Sequence, residues 1–91
     1  MMYTIDFEPK VIKVMAKWKK SNPNLFKKLD HILRAIQSDP RHGIGHPEPM
    51  VGGGNITYSR HISAHDRIIY DVYDNEVHVL VIELEGHYND K

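Results

Sequence analysis

The tripeptide Ser21-Asn22-Pro23 constrains this chain more than any other feature, because it interrupts two stretches whose apolar residues recur at helical spacing. Before it, Phe7, Val11, Val14, Met15 and Trp18 fall on one face of a helix, while Lys10, Lys13, Lys17 and Lys20 line another. After it, Leu25, Leu29, Ile32, Leu33 and Ile36 repeat the pattern. Asn22 suits an N-cap and Pro23 a first helical turn, so one helix ends where the next begins. Two amphipathic helices joined this tightly predict an antiparallel hairpin, and its apolar stripes need a surface to cover. Phe7, Met15 and Trp18 belong to the expected core. The first helix is expected to open on residues 6–9, with Asp6 as an acidic cap and Pro9 in the first turn, and to run to about residue 20.

The surface is supplied by strands. Residues 3–5 read as a short strand, and residues 57–62, 67–73 and 76–84 are rich in β-branched and aromatic side chains, with Asp74-Asn75 as a hairpin turn between the last two. The order is βααβββ, a single α+β domain over residues 1–91, with a helix hairpin packed on a small, mainly antiparallel sheet. Alternation along the 67–73 strand sets Ile68, Tyr70 and Val72 on one face and Arg67, Ile69, Asp71 and Tyr73 on the other. If Arg60 on the neighbouring strand shares the face of Arg67, the two guanidiniums flank one phosphate. Salt bridges from these arginines to acids such as Asp66 and Asp71 are the competing expectation.

Between helices and strands, residues 38–55 hold Pro40, Gly43, Gly45, Pro47, Pro49 and the run Gly52-Gly53-Gly54, which reads as a long loop. Loops of this length in small domains are uncommon and often functional, which draws attention to Glu48 between two prolines. The net charge is zero, yet residues 1–41 carry +5 and residues 42–91 carry −5. The basic first half is suited to a polyanion or a charged protein partner, or forms a solvated lysine face. The absence of Cys rules out disulfides and thiolate metal sites, and no apolar run is long enough for a membrane span or a signal peptide, so a cytoplasmic setting without membrane association is expected. His42 and His46, and likewise His61 and His65, stand four apart, but that spacing aligns ligands only on a helix, so no metal or other cofactor is expected.

The segments Gly45-His46-Pro47-Glu48-Pro49, Tyr58-Ser59-Arg60-His61-Ile62, His65-Asp66-Arg67-Ile68-Ile69-Tyr70 and His87-Tyr88 supply a carboxylate, guanidiniums, imidazoles and a phenol in a fixed order. In combination this set resembles the YoeB/Txe branch of the RelE toxin superfamily, over nearly the whole chain. The resemblance implies a RelE-like fold and a type II toxin: a ribosome-dependent mRNA endoribonuclease that enters the ribosomal A site and is neutralised by a cognate YefM/Axe-like antitoxin. The implied partners are therefore mRNA, the 70S ribosome and that antitoxin, with a homodimer left open. Carried over by position, the catalytic residues are Glu48, Arg67 and His87, and Arg60 matches the arginine of the family's Ser-Arg strand. The chemistry implied is metal-independent attack of the 2′-hydroxyl on the adjacent phosphate, with acid-base help. Tyr88 and His61 are expected to contact RNA, and Lys13 and Lys17 to hold ribosomal RNA through phosphate contacts.

The chain departs from the family pattern in three places. Met50-Val51 follows Pro49 where a lysine often stands, His61 replaces a second arginine, and Asn89-Asp90-Lys91 extend beyond the His-Tyr pair. The alternatives to the enzyme are a non-cleaving toxin of the same fold and a module that only binds RNA or protein.

Overall fold

The computed structural model describes residues 2–86. The chain runs β1 (Thr4–Phe7), α1 (Pro9–Ser21), α2 (Pro23–Ser38), β2 (Glu48–Pro49), β3 (Thr57–His61), β4 (Arg67–Tyr73) and β5 (His78–Glu85). The hairpin of helices pivots on Asn22. Its backbone N–H donates to the carbonyl of Trp18 at 2.8 Å, ending α1, while its side-chain oxygen accepts from the Leu25 N–H at 3.3 Å, starting α2.

The start of α1 differs from the sequence expectation. Asp6 and Phe7 belong to β1, which pairs in parallel with β5 through Phe7↔Val81, and Glu8 takes the N-cap position before Pro9. Pairing with a central strand gives the backbone of residues 6 and 7 partners that a frayed first helical turn lacks. Phe7 still packs against the core, from a strand.

The five strands lie in the order β1-β5-β4-β3-β2; β1 is parallel to β5 and every other pair is antiparallel. Both helices cover one face, where Val11, Trp18, Leu29, Ile32 and Ile36 meet Ile68, Tyr70, Val72, Val79 and Val81. The opposite, open face carries neither helix, although Ser59 and Ile69 at its centre are buried. Among the described residues no helix is long and apolar enough to cross a membrane.

Two local features decide what the open face carries. Within the expected loop, Glu48 and Pro49 form a two-residue edge strand, with Glu48 opposite Ser59 and Pro49 opposite Tyr58. Pro suits an edge position because it has no N–H to offer a further neighbour. In β5, Tyr70 pairs with Val81 but Ile69 pairs with Glu83, so Ile82 is an extra residue and the register shifts. Strict alternation would turn Glu83 towards the helices. The bulge instead sends Leu84 inward and Glu83 and Glu85 to the open face.

Candidate active site

The cross-strand register places Glu48 opposite Ser59, Ser59 opposite Ile69, and His61 opposite Arg67, so Glu48, His61 and Arg67 share the open face. Counting two strand spacings across and two residues along β3, the Cα atoms of Glu48 and Arg67 stand about 12 Å apart, a gap that a long carboxylate and a guanidinium can close over one phosphodiester. Glu48 and His61 are exposed and Arg67 is partly so. Arg67 is already engaged: its Nη2 and Nε donate to Glu85 Oε1 at 2.7 and 3.2 Å. Neither Asp66 nor Asp71 is its partner.

Arg60 is elsewhere. It pairs with Ile68, on the helix-covered face, and is fully buried. The expectation that it flanks a phosphate with Arg67, or contacts RNA directly, is therefore corrected, because successive residues of β3 point to opposite faces and Arg60 and His61 are successive. Its Nη2 donates to the carbonyls of Asp39 at 2.9 Å and His42 at 3.1 Å, and its Nε to the Tyr70 hydroxyl at 3.3 Å. Tyr70 in turn donates to the Pro40 carbonyl at 2.6 Å. Burial is the main reason the Tyr70 hydroxyl holds its proton more tightly than usual, and the nearby Arg60 charge opposes that effect.

These bonds hold down the chain that leads to Glu48. Gly45 completes the anchor: its carbonyl accepts from the His61 N–H at 2.7 Å, and its backbone has φ +84°. A Cβ there would come within 2.5 Å of the His61 carbonyl and 2.7 Å of Arg60 Cγ, so the site needs glycine for both conformation and space. A second anchor lies next to it. Arg41 donates to both carboxylate oxygens of Asp74 at 2.9 and 2.8 Å and to the Tyr58 hydroxyl at 3.0 Å, and the Tyr3 hydroxyl donates to Asp74 at 2.8 Å. The Arg41 guanidinium, followed by the Tyr3 hydroxyl, holds the Asp74 carboxyl below its usual range.

His87 and Tyr88 lie outside the described residues, but the approach to them is defined. Glu85 is tied to Arg67, and Gly86 lies so close to the Asp66 carboxylate that no Cβ would fit. Asp66 is itself buried and accepts from Ser63 Oγ. Residues 66 and 67 thus fix residues 85 and 86, directly before His87. Lys13 and Lys17 are exposed on α1, in the helical layer, and do not join the open face. Among the described residues no three His, Cys, Asp or Glu side chains gather as potential metal ligands.

Sequence reasoning missed Glu85, and its signal was present. In β5 the succession Val81-Ile82-Glu83-Leu84-Glu85 breaks the alternation set by Val79 and Val81, which is what a bulge looks like in a sequence. With Asp6, Glu48, Asp71 and Glu83 on the same face, acids outnumber the single arginine there.

Two helices packed on one face of a five-stranded, mainly antiparallel sheet is the fold of the RelE-like toxins. The family model described as the YoeB-like toxin of bacterial type II toxin-antitoxin systems matches residues 7–88. A YoeB toxin of a Synechocystis species is 31% identical over 71 residues, spanning 78% of this chain and 80% of the relative. The YoeB dimer of Staphylococcus aureus superposes with a TM-score of 0.81 at 27% identity, covering 97% of this chain and 100% of that one. The toxin of a YoeB–YefM complex from the same organism gives 0.80 at 27% identity, with the same coverage. The chain belongs to the YoeB family of type II toxins.

Proposed function

We propose that this toxin is a ribosome-dependent mRNA endoribonuclease, active in the cytoplasm without a cofactor and silenced by a cognate antitoxin of the YefM kind. The observation that carries the reading is the shared open face of Glu48, His61 and Arg67, with the chain directed to His87 from beside Arg67. Glu48 accepts the proton of the 2′-hydroxyl as that oxygen attacks the adjacent phosphorus. The phosphorane charge falls on Arg67, whose guanidinium exchanges Glu85 for phosphate oxygens. His87, as imidazolium, gives its proton to the departing 5′-oxygen, leaving a 2′,3′-cyclic phosphate and a 5′-hydroxyl. His61 and Tyr88 contact the neighbouring nucleotides. Arg60 acts one step removed, as the positioning residue for the Glu48 segment.

The helix surface with Lys13 and Lys17 faces away from this chemistry and is suited to ribosomal RNA, where phosphate contacts need no sequence reading. The YoeB–YefM complex and the YoeB dimer of S. aureus support an antitoxin partner and a homodimer as the assemblies to look for.

One observation favours a second reading, a toxin that does not cut RNA. The open face holds more acid than base, and its one arginine is paired with Glu85. Primer extension on a short mRNA programmed into bacterial 70S ribosomes separates the two. Ribosome-dependent cuts by the wild type, absent with Glu48→Gln, Arg67→Ala or His87→Ala and with a 2′-deoxy nucleotide at the cleaved position, are expected. A folded wild type that leaves the message intact assigns the toxin to the non-cleaving class.

A further inference from the structure

β5 ends at Glu85, and Arg67↔Glu85 is the last pair of its ladder with β4. One step beyond that pair, Asp66 stands against Gly86. A Cβ at Gly86 would overlap Asp66 Oδ1 and come within 3.0 Å of its Cγ and 3.4 Å of its Cβ. Gly86 is not among the glycines with positive φ, so its conformation does not call for glycine; the space beside the carboxylate does. Asp66 is the one buried carboxylate among the described residues, and no described Lys or Arg pairs with it. A buried carboxylate without a cation is destabilising unless its hydrogen bonds compensate. Here those bonds also immobilise it. Asp66 Oδ2 accepts from Ser63 Oγ, which itself accepts from the His65 N–H at 3.2 Å. The Asp66 carbonyl accepts from the N–H groups of Ile62 at 2.8 Å and Ser63 at 3.3 Å. The carboxylate is thus a fixed stop at the point where backbone pairing between β4 and β5 gives out.

We infer that Asp66 is a positioning residue for RNA cleavage: by holding Gly86 it sets where the next residue, His87, begins, and so aims the general acid. The role rests on the proposed ribonuclease reaction. Glu48 and Arg67 stand on strands whose pairing fixes them, whereas His87 follows the end of the ladder, so a side-chain contact takes over where the ladder stops. Proton transfer to the departing 5′-oxygen works at hydrogen-bond distance, and a displacement of about 1 Å costs on the order of 100-fold in rate. Acting through Gly86, Asp66 need touch neither the RNA nor the proton. Its effect falls on one step, protonation of the leaving group, and that step becomes dispensable when sulfur replaces the bridging 5′-oxygen, because a thiolate departs without a proton.

Single-turnover cleavage in bacterial 70S ribosomes tests this, with two messages that carry either oxygen or sulfur at the bridging 5′ position of the cleaved bond. On the oxygen message Asp66→Ala and Gly86→Ala should each lose about 100-fold. The double variant should lose no more than Asp66→Ala alone, because the carboxylate that the added methyl would meet is gone. On the sulfur message both single variants should return close to the wild-type rate, as should His87→Ala, while Glu48→Gln stays slow. That return also shows a variant to be folded, and Gly86→Ala, beyond the last strand, keeps the test open should Asp66→Ala fail to fold. Unchanged rates on the oxygen message, or losses of equal size on both messages, would overturn the role of Asp66 and leave the nuclease standing. A wild type that cuts neither message would remove the ribonuclease reading and this role with it.

Discussion

Replacing Arg60 with Met separates two roles that the sequence alone does not distinguish. The side chain is fully buried, and it donates three hydrogen bonds, to the carbonyls of Asp39 and His42 and to the Tyr70 hydroxyl. Hydrogen bonds from a charged donor contribute roughly 1.5–3 kcal/mol each, so their loss is worth about 4–9 kcal/mol gross. Methionine fills much of the same volume and removes a cation whose burial costs several kcal/mol, which offsets about half of that; the net loss is then about 3 kcal/mol. For a domain of this size, such a loss lowers Tm by roughly 12–24 °C. Urea and thermal unfolding followed by circular dichroism read the effect directly. Arg60→Lys should fall between the two, since one ammonium cannot reach the carbonyls of Asp39 and His42 as Nη2 does and also replace the Nε bond to the Tyr70 hydroxyl. A residue that touched RNA instead would give the reverse pattern, with unchanged melting and weakened RNA binding, and that result for Arg60→Met would refute the anchoring argument.

Two further outcomes follow from the charges. Arg67 and Glu85 are each about two-fifths exposed, so solvent screens their pair and its strength is below about 1 kcal/mol. Glu85→Gln should accordingly tighten binding of a non-cleavable 2′-deoxy message by up to about fivefold at low salt, measured by anisotropy; weaker binding would mean that Glu85 orients Arg67 rather than competing for it. Asp74 titrates below its usual range when folded because of Arg41 and then Tyr3. Its contribution to stability is complete above the unfolded carboxylate value of about 4 and fades as pH falls through the lower folded value. The gap in urea midpoint between wild type and Asp74→Asn should therefore be constant near neutrality and close below about pH 4, and a gap that persists wherever both remain folded would remove Asp74 from the account.

Most of the scaffold was legible because it depends on local rules. Asn22-Pro23 marks the helix junction whatever surrounds it, and β4 was read at its observed bounds, since β-branched and aromatic residues alternate cleanly between Arg67 and Tyr73. Residues 6 and 7 were misassigned for the opposite reason. Their sequence offers a plausible helix start, and only a partner more than seventy residues away, β5, decides for a strand. Glu48–Pro49 was hidden in the same way, because two residues have no periodicity and their pairing with β3 is tertiary.

The site divides along the same line. The family resemblance singled out Glu48 and Arg67; residue identity alone offered only a carboxylate in a stiff loop and an arginine at a strand start, which solvent exposure or salt bridges would equally explain. What the residues do there is set by parity. One step along β3 turns His61 to the open face and Arg60 into the core, so two neighbouring basic residues that look interchangeable in the sequence serve opposite ends: one stands beside Arg67 and the other holds down the loop that leads to Glu48. One extra residue in β5 reverses parity again and brings Glu85, in place of Leu84, opposite Arg67. With Ile82 accommodated as a bulge, Arg67 is held by an internal carboxylate, and the last described residues of the chain run alongside the same arginine. A shift of register rather than any one side chain thus decides which carboxylate meets Arg67. Deleting Ile82, which has no cross-strand partner, should therefore leave Glu85 opposite Arg67, whereas replacing Glu85 alone would free the arginine, a difference that anisotropy with the 2′-deoxy message reads.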